Sequence, residues 1–113
     1  MRGIGGSATA EVVRFRKSKS AQGIPLAKGD EPVMSVRGWL DLQGGGASHQ
    51  SYEAKLQETT HVFLSDYDAA FANLSTANLF LLIGGRRYEV LLIDDPMGMH
   101  AHLETYLKHV GDA

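Results

Sequence analysis

Two β-rich runs, Asn78 to Ile83 and Arg86 to Ile93, flank the pair Gly84-Gly85. A two-residue link whose members both accept positive φ is the tightest way to reverse a strand, and glycine takes that conformation without a Cβ penalty. This stretch therefore predicts an antiparallel β-hairpin. An isolated hairpin is only marginally stable and leaves two open edges, so the rest of the chain must supply further strands.

Those strands can be found in both directions. From Ala8 to Arg16 the residues alternate, with Ala10, Val12, Arg14 and Arg16 on one side and Glu11, Val13 and Phe15 on the other. From Val33 to Leu42 the set Met34, Val36, Gly38, Leu40 and Leu42 forms an apolar, core-facing side opposite Val33, Ser35, Arg37, Trp39 and Asp41. Gly38 inside that run predicts a bulge or a close backbone approach. Thr60 to Ser65 reads as a third strand. Asp66 to Thr76 reads as a loop with one helical turn at Asp68 to Phe71, and Asp94 to Gly98 as a turn closed by Pro96. His100 to Val110 fits both periods, and the need for a strand to complete the sheet favours β. Ser18 to Pro32, with two prolines and two glycines, is predicted to be a long loop. Gln43 to Tyr52, with Gly44-Gly45-Gly46, is predicted to be mobile. The fold class is all-β: a small antiparallel barrel of five or six strands with long loops, spanning residues 8–113 behind a flexible lead at 1–7.

Bulk properties narrow the function. At 113 residues with 43% hydrophobic content the chain fits one domain with its own core. A net charge of −2 provides no basic field for nucleic acid. No cysteine is present, which removes disulfides and thiolate metal sites and fits use in a reducing cytoplasm. No apolar run approaches the roughly 20 residues of a membrane helix, and the N-terminus lacks the apolar segment of a signal peptide.

Candidate chemistry is sparse. His100 and His102, two apart on a strand, share a face, and His61, His109, Asp94 and Asp95 could join them, but their spacing matches no tight metal-ligand pattern. Asp94 and Asp95 point to opposite faces of a strand and read as turn formers before Pro96. Ser48 and His49 lie beside three glycines, which cannot hold a nucleophile in place. Neither glycine cluster leads into the Gly-Lys-Ser/Thr of a phosphate loop. The reading is non-enzymatic, with no catalytic residue, metal or cofactor. Arg14, Arg16, Lys17 and Lys19 form a local basic group suited to an acidic partner, and Trp39, on the polar side of its strand, suits burial against a neighbouring subunit.

Two segments carry a resemblance. Thr59-Thr-His-Val-Phe-Leu-Ser-Asp-Tyr67 and the run from Gly85-Arg-Arg-Tyr through Ile-Asp-Asp-Pro-Met-Gly-Met-His-Ala-His-Leu-Glu-Thr-Tyr-Leu-Lys108 resemble the head-closure proteins of long-tailed phages, also called head-completion or head–tail joining proteins. Arg37-Gly-Trp-Leu-Asp-Leu42 is similar to a softer family segment. The run Tyr88 to Lys108 is the specific part. Gly98, where the family more usually has a polar residue, and the alanine- and glycine-rich loop are departures.

The resemblance implies a structural β-barrel that assembles as a homo-oligomeric ring, usually of twelve copies, in the virion neck. A portal adaptor protein lies above, a tail-completion or tail protein below, and packaged DNA passes through without sequence-specific binding. The protein would be made in the host bacterial cytoplasm. It further implies that the loop 43–58 projects into the channel and gates it, with Gly44, Gly45, Gly46, Ser48, His49 and Gln50 as its moving part. The Ser18 to Pro32 loop would sit at a ring surface and meet the adaptor or the tail-side partner. Arg14, Arg16, Lys17, Lys19, Trp39, Asp94 and Asp95 are the expected interface residues, and Asp41, Asp66 and Asp68 add acid to one side. The alternative from another class is an OB-like barrel binding single-stranded nucleic acid, which needs exposed aromatics and basic groups on one face; Tyr52, Tyr67 and Trp39 are too scattered in the sequence to provide it.

Overall fold

The computed structural model describes residues 6–19, 25–42 and 58–113, with backbone alone at 17–19 and 25–28. Six strands form: β1 (Ala8–Lys19), β2 (Pro25–Leu42), β3 (His61–Asp66), β4 (Leu79–Ile83), β5 (Arg86–Asp94) and β6 (His102–Asp112). Every pairing is antiparallel. The order β1-β2-β3-β6-β5-β4 closes when β4 pairs back onto β1, from Glu11↔Leu82 to Arg14↔Leu79. Closure leaves no free edge around the barrel itself, while the part of β2 before Gly38 has no β3 partner.

Alternation builds the interior. Ala10 and Val12, Leu79, Leu81 and Ile83, and Leu103 and Leu107 send alternate side chains inward to join Phe63, Tyr88 and Val90. The predicted helical turn is α1 (Ala69–Ala72). Asp68 caps it, its Oδ1 accepting from the N–H of Ala70 (2.9 Å) and of Phe71 (3.4 Å). Phe71 is fully buried in the same cluster as the strand residues, so the link between β3 and β4 plugs one end of the barrel. That plugged end also receives the start of β6, through Asp66↔His102, and the end of β5, through Asp94↔Glu104.

Gly84 and Gly85 take φ of 57° and 79°, the left-handed pair a two-residue hairpin requires. The tail is a strand, as the closing argument expected. Gly38 marks a close approach and no bulge: a Cβ there would collide with the Leu64 carbonyl oxygen and the Phe63 ring.

Two expectations are corrected. Ser18 to Pro32 is no loop at its described positions. β1 and β2 continue past the barrel as a long hairpin, paired from Val13↔Pro32 to Lys19↔Pro25. The prolines misled because their positions are ones a strand tolerates. Pro25 opens β2, and Pro32 lies at a register shift, where β2 has no β3 pairing on its other side until Gly38. Leu42, expected in the core, is 70% exposed, because it pairs with His61 at the barrel rim, beyond the filled interior.

Candidate functional site

The long hairpin does not simply extend the barrel. Arg87 on β5 and Asp30 on β2 are separated in the sheet by β4 and β1, three interstrand steps of about 4.8 Å each. They nevertheless make a bidentate pair, with Arg87 Nη1 and Nη2 donating to the two Asp30 oxygens at 2.9 and 2.7 Å. The contact requires the hairpin to lean over the outer face of β4, and the register shift between Val12 and Val13 provides the bend. Val13 agrees with this: it shares the outer face with Phe80, yet it is buried outside the interior cluster.

The guanidinium lies 4.3 Å from the Phe80 ring centroid and 5.9 Å from that of Phe15. Phe15, Gly29, Asp30, Phe80 and Arg87 together line an open cavity of about 390 Å³. The hydrogen bond from Arg87 holds the Asp30 carboxyl below its usual range, reinforced by the arginine's charge and opposed by burial. Arg87 is pushed up in turn by the same pair. The floor of the cavity is therefore aromatic and close to neutral.

The second feature is the connection from β5 to β6. Met97, Gly98 and His100 take φ of 57°, 64° and 56°. Two of the three are not glycine, a conformation that costs each of order 1 kcal/mol or more unless its surroundings impose it. Asp95 imposes it: its Oδ1 accepts from the His100 N–H at 2.9 Å, its Oδ2 lies 2.5 Å from His100 Nδ1, and its carbonyl accepts from the Gly98 N–H at 2.8 Å. The His100 ring stacks on Tyr67 at 4.3 Å. This rigid turn presents Met97 at 90% and Met99 at 68% exposure. At its base Asp94 is pushed above the usual carboxylate range by burial first, then by Glu104 and Asp95, with His102 opposing.

The expected interface residues fall in three places. Arg14 donates to the Ala77 carbonyl at 2.5 Å, and Arg16 pairs with Glu31 at 2.6 Å at the root of the hairpin, whose backbone also carries Lys17 and Lys19. Asp94 and Asp95 belong to the methionine turn. Trp39, 48% exposed, lies on the outer face of β2 opposite Leu64 of β3, away from both. The loop residues Gly44, Gly45, Gly46, Ser48, His49 and Gln50 lie outside the described residues.

The histidines do not converge. His100 precedes β6 and is held in the turn, so it shares no strand face with His102, which pairs with Glu104 at 3.1 Å. His61 and His109 pack around Tyr88 near the other end of the barrel, with ring centroids 5.0 and 5.3 Å from the tyrosine. Burial pushes His61 down, aided by His109 and Arg86. Among the described residues no three histidine or carboxylate side chains gather into a metal-binding set, and no helix is long and apolar enough to cross a membrane.

Sequence reasoning missed the aromatic cavity and the exposed methionines. The available signals were Phe80 alternating out of phase with Leu79 and Leu81, and an Asp-Pro-Met-Gly-Met turn with more apolar residues than a solvated turn needs. Compared with models of known protein families and with curated proteins, the chain finds no match.

Proposed function

We propose that the protein is a structural subunit of a phage head-to-tail connector. It would close the DNA-filled head below the portal and its adaptor, offer the tail a docking platform, and work as a homo-oligomeric ring in the virion neck. The observation that carries the reading is the run Tyr88 to Lys108. The segment that resembles head-closure proteins makes up most of β5, the clamped turn and most of β6, consecutive pieces of one closed antiparallel barrel. Its residues have distinct structural work: Tyr88, Leu103 and Leu107 fill the interior, Asp95 clamps the turn, and the Tyr106 hydroxyl donates to Glu104 at 2.8 Å.

Electrostatics supports the same reading. A net charge of −2 keeps DNA phosphates from sticking to a channel wall that they must pass. The loop 43–58 is the proposed gate, and residues 43–57 lie outside the described part. The OB-like alternative gains an aromatic pair beside an arginine in Phe15, Phe80 and Arg87, but Asp30 already neutralises that arginine, which weakens phosphate binding there.

Complementation tests the proposal. Purified protein is added to DNA-filled heads that carry portal and adaptor but lack their head-closure protein, followed by free tails, and infectious particles are counted. The proposal expects restored infectivity. Absence of restoration in such heads would remove it, and salt-dependent oligonucleotide binding would then favour the OB-like alternative.

A further inference from the structure

The aromatic cavity and the methionine turn are complementary in four respects, and they lie on different parts of the same chain. The first is size. A cavity of about 390 Å³ has room for the ends of two methionine side chains, and the turn presents two. The second is chemistry: thioether sulfur packs favourably against aromatic rings, and Phe15 and Phe80 are both in the lining.

Charge is the third. By sequence, the two strands of the hairpin, residues 14–19 and 25–32, carry five basic residues (Arg14, Arg16, Lys17, Lys19, Lys28) against Asp30 and Glu31, a net of three positive. The turn and its base, residues 94–104, carry Asp94, Asp95 and Glu104 with no lysine or arginine, a net of three negative with histidine neutral. Asp94 is pushed up by burial first and then by the neighbouring Glu104 and Asp95, and an incoming cation would relieve the second part.

Position is the fourth. Asp94↔Glu104 and Asp66↔His102 put the methionine turn at the plugged end of the barrel, and Arg14↔Leu79 sends the hairpin out at that same end. Copies in a cyclic ring are related by rotation alone, so the two halves of each contact must lie at one height along the ring axis. The Phe15 and Asp30 side of the cavity lies toward that end, which meets the condition when the barrel stands along the axis, while Arg87 reaches in from the side of the Gly84-Gly85 turn.

The geometry points to a second copy of this chain as the occupant of the cavity: Met97 and Met99 of one copy seat between Phe15, Phe80 and Arg87 of the next. Within one molecule neither methionine lines the cavity, so the contact is head-to-tail and propagates. Both halves are held in shape before they meet, one by Asp95 and the other by the Arg87–Asp30 pair, which reduces the ordering entropy of association. This inference deepens the ring-subunit reading and rests on it.

The chain has no cysteine, so introduced thiols report a single contact. Gly29→Cys places its Cβ in open space at the cavity edge. Gly29→Cys protein and Met97→Cys protein are mixed at millimolar concentration and oxidised, and the disulfide products are resolved on a non-reducing gel. Met99→Cys replaces Met97→Cys if the latter does not melt cooperatively. The contact expects mixed dimers in several-fold excess over either homodimer, and a ladder of oligomers from the double variant. Mixed dimers at or below the roughly twofold excess that random pairing of equal amounts gives, or absent, would overturn it.

The same double variant is then added to the head-restoration assay. If wild-type protein restores infectivity but particles made with the variant show no link between positions 29 and 97, or show the thiol at position 29 joined to a different protein, the contact is wrong while the ring reading stands. If wild-type protein restores nothing, the ring reading fails whatever the free protein does.

Discussion

The two ends of the barrel handle the same problem in opposite ways. Each has a turn between neighbouring antiparallel strands, and each turn needs left-handed residues. At one end Gly84 and Gly85 provide them, and the turn exposes nothing apolar. At the other, Met97 and His100 adopt that conformation, Asp95 holds them there, and two methionines face outward. The second turn, with the helical plug, the acidic group and the leaning hairpin around it, concentrates strain and charge at one end, as expected where a surface is built for contact.

The largest effect that would test this contrast is at the plug. Phe71→Ala opens a cavity at the loaded end and is expected to cost about 3–5 kcal/mol in a urea titration, because the fully buried ring has no replacement. A loss below about 1 kcal/mol, small for a large-to-small core change, would mean that the plug is not part of the core and that the two ends are more alike than described.

The turns themselves can be exchanged. Gly84→Ala forces a Cβ into a left-handed position and should destabilise by about 1 kcal/mol. Met97→Gly should stabilise the monomer by up to about 1 kcal/mol, by relieving the strain, while abolishing the knob. If thermal melts show Met97→Gly destabilising as well, the turn is better fitted to methionine than its backbone indicates.

Two smaller effects depend on pH, one at each end. Asp94 has its folded-state value raised above 3.8, so at neutral pH its ionised form opposes folding, and that penalty is relieved as pH falls through the raised value. Asp94→Asn should therefore melt higher than wild type at neutral pH, with the gap shrinking on acidification. An unchanged gap would mean that neither burial nor the neighbouring Glu104 and Asp95 raises Asp94.

At the other end His61 has its folded-state value pushed below 6.5. Folding then opposes its protonation, and stability is lost as pH falls below the unfolded value of about 6.5. His61→Gln should flatten the dependence of the urea midpoint between about pH 7.5 and 5.5, one unit either side of that value. Equal slopes in both proteins would assign the loss elsewhere.

The sequence made one end of the molecule far more legible than the other. The Gly84-Gly85 hairpin, the inward alternation of β1 and the final strand all follow from local rules of period and turn chemistry. So does the capped turn at Asp68, where a short polar side chain precedes an apolar run. The hairpin of β1 and β2 did not, because its prolines look like breakers unless the free edge and the register shift beside Pro32 are known. The cavity was hidden for a stronger reason: Asp30 and Arg87 are 57 positions apart and belong to strands that are not neighbours. Only the lean of the hairpin brings them together. The basic and acidic groups expected at an interface were visible as clusters in the sequence. Their placement depends on the register of β1 against β4 and of β6 against β3 and β5, which no local pattern encodes.

The central claim is closure of the head, and DNA retention tests it before any tail is present. Purified protein is added to filled heads that carry portal and adaptor but leak their genome, and the DNA that stays resistant to nuclease is followed over time. The account predicts that the protein makes the genome nuclease-resistant without tails. Loss of DNA at the same rate with and without the protein would contradict it.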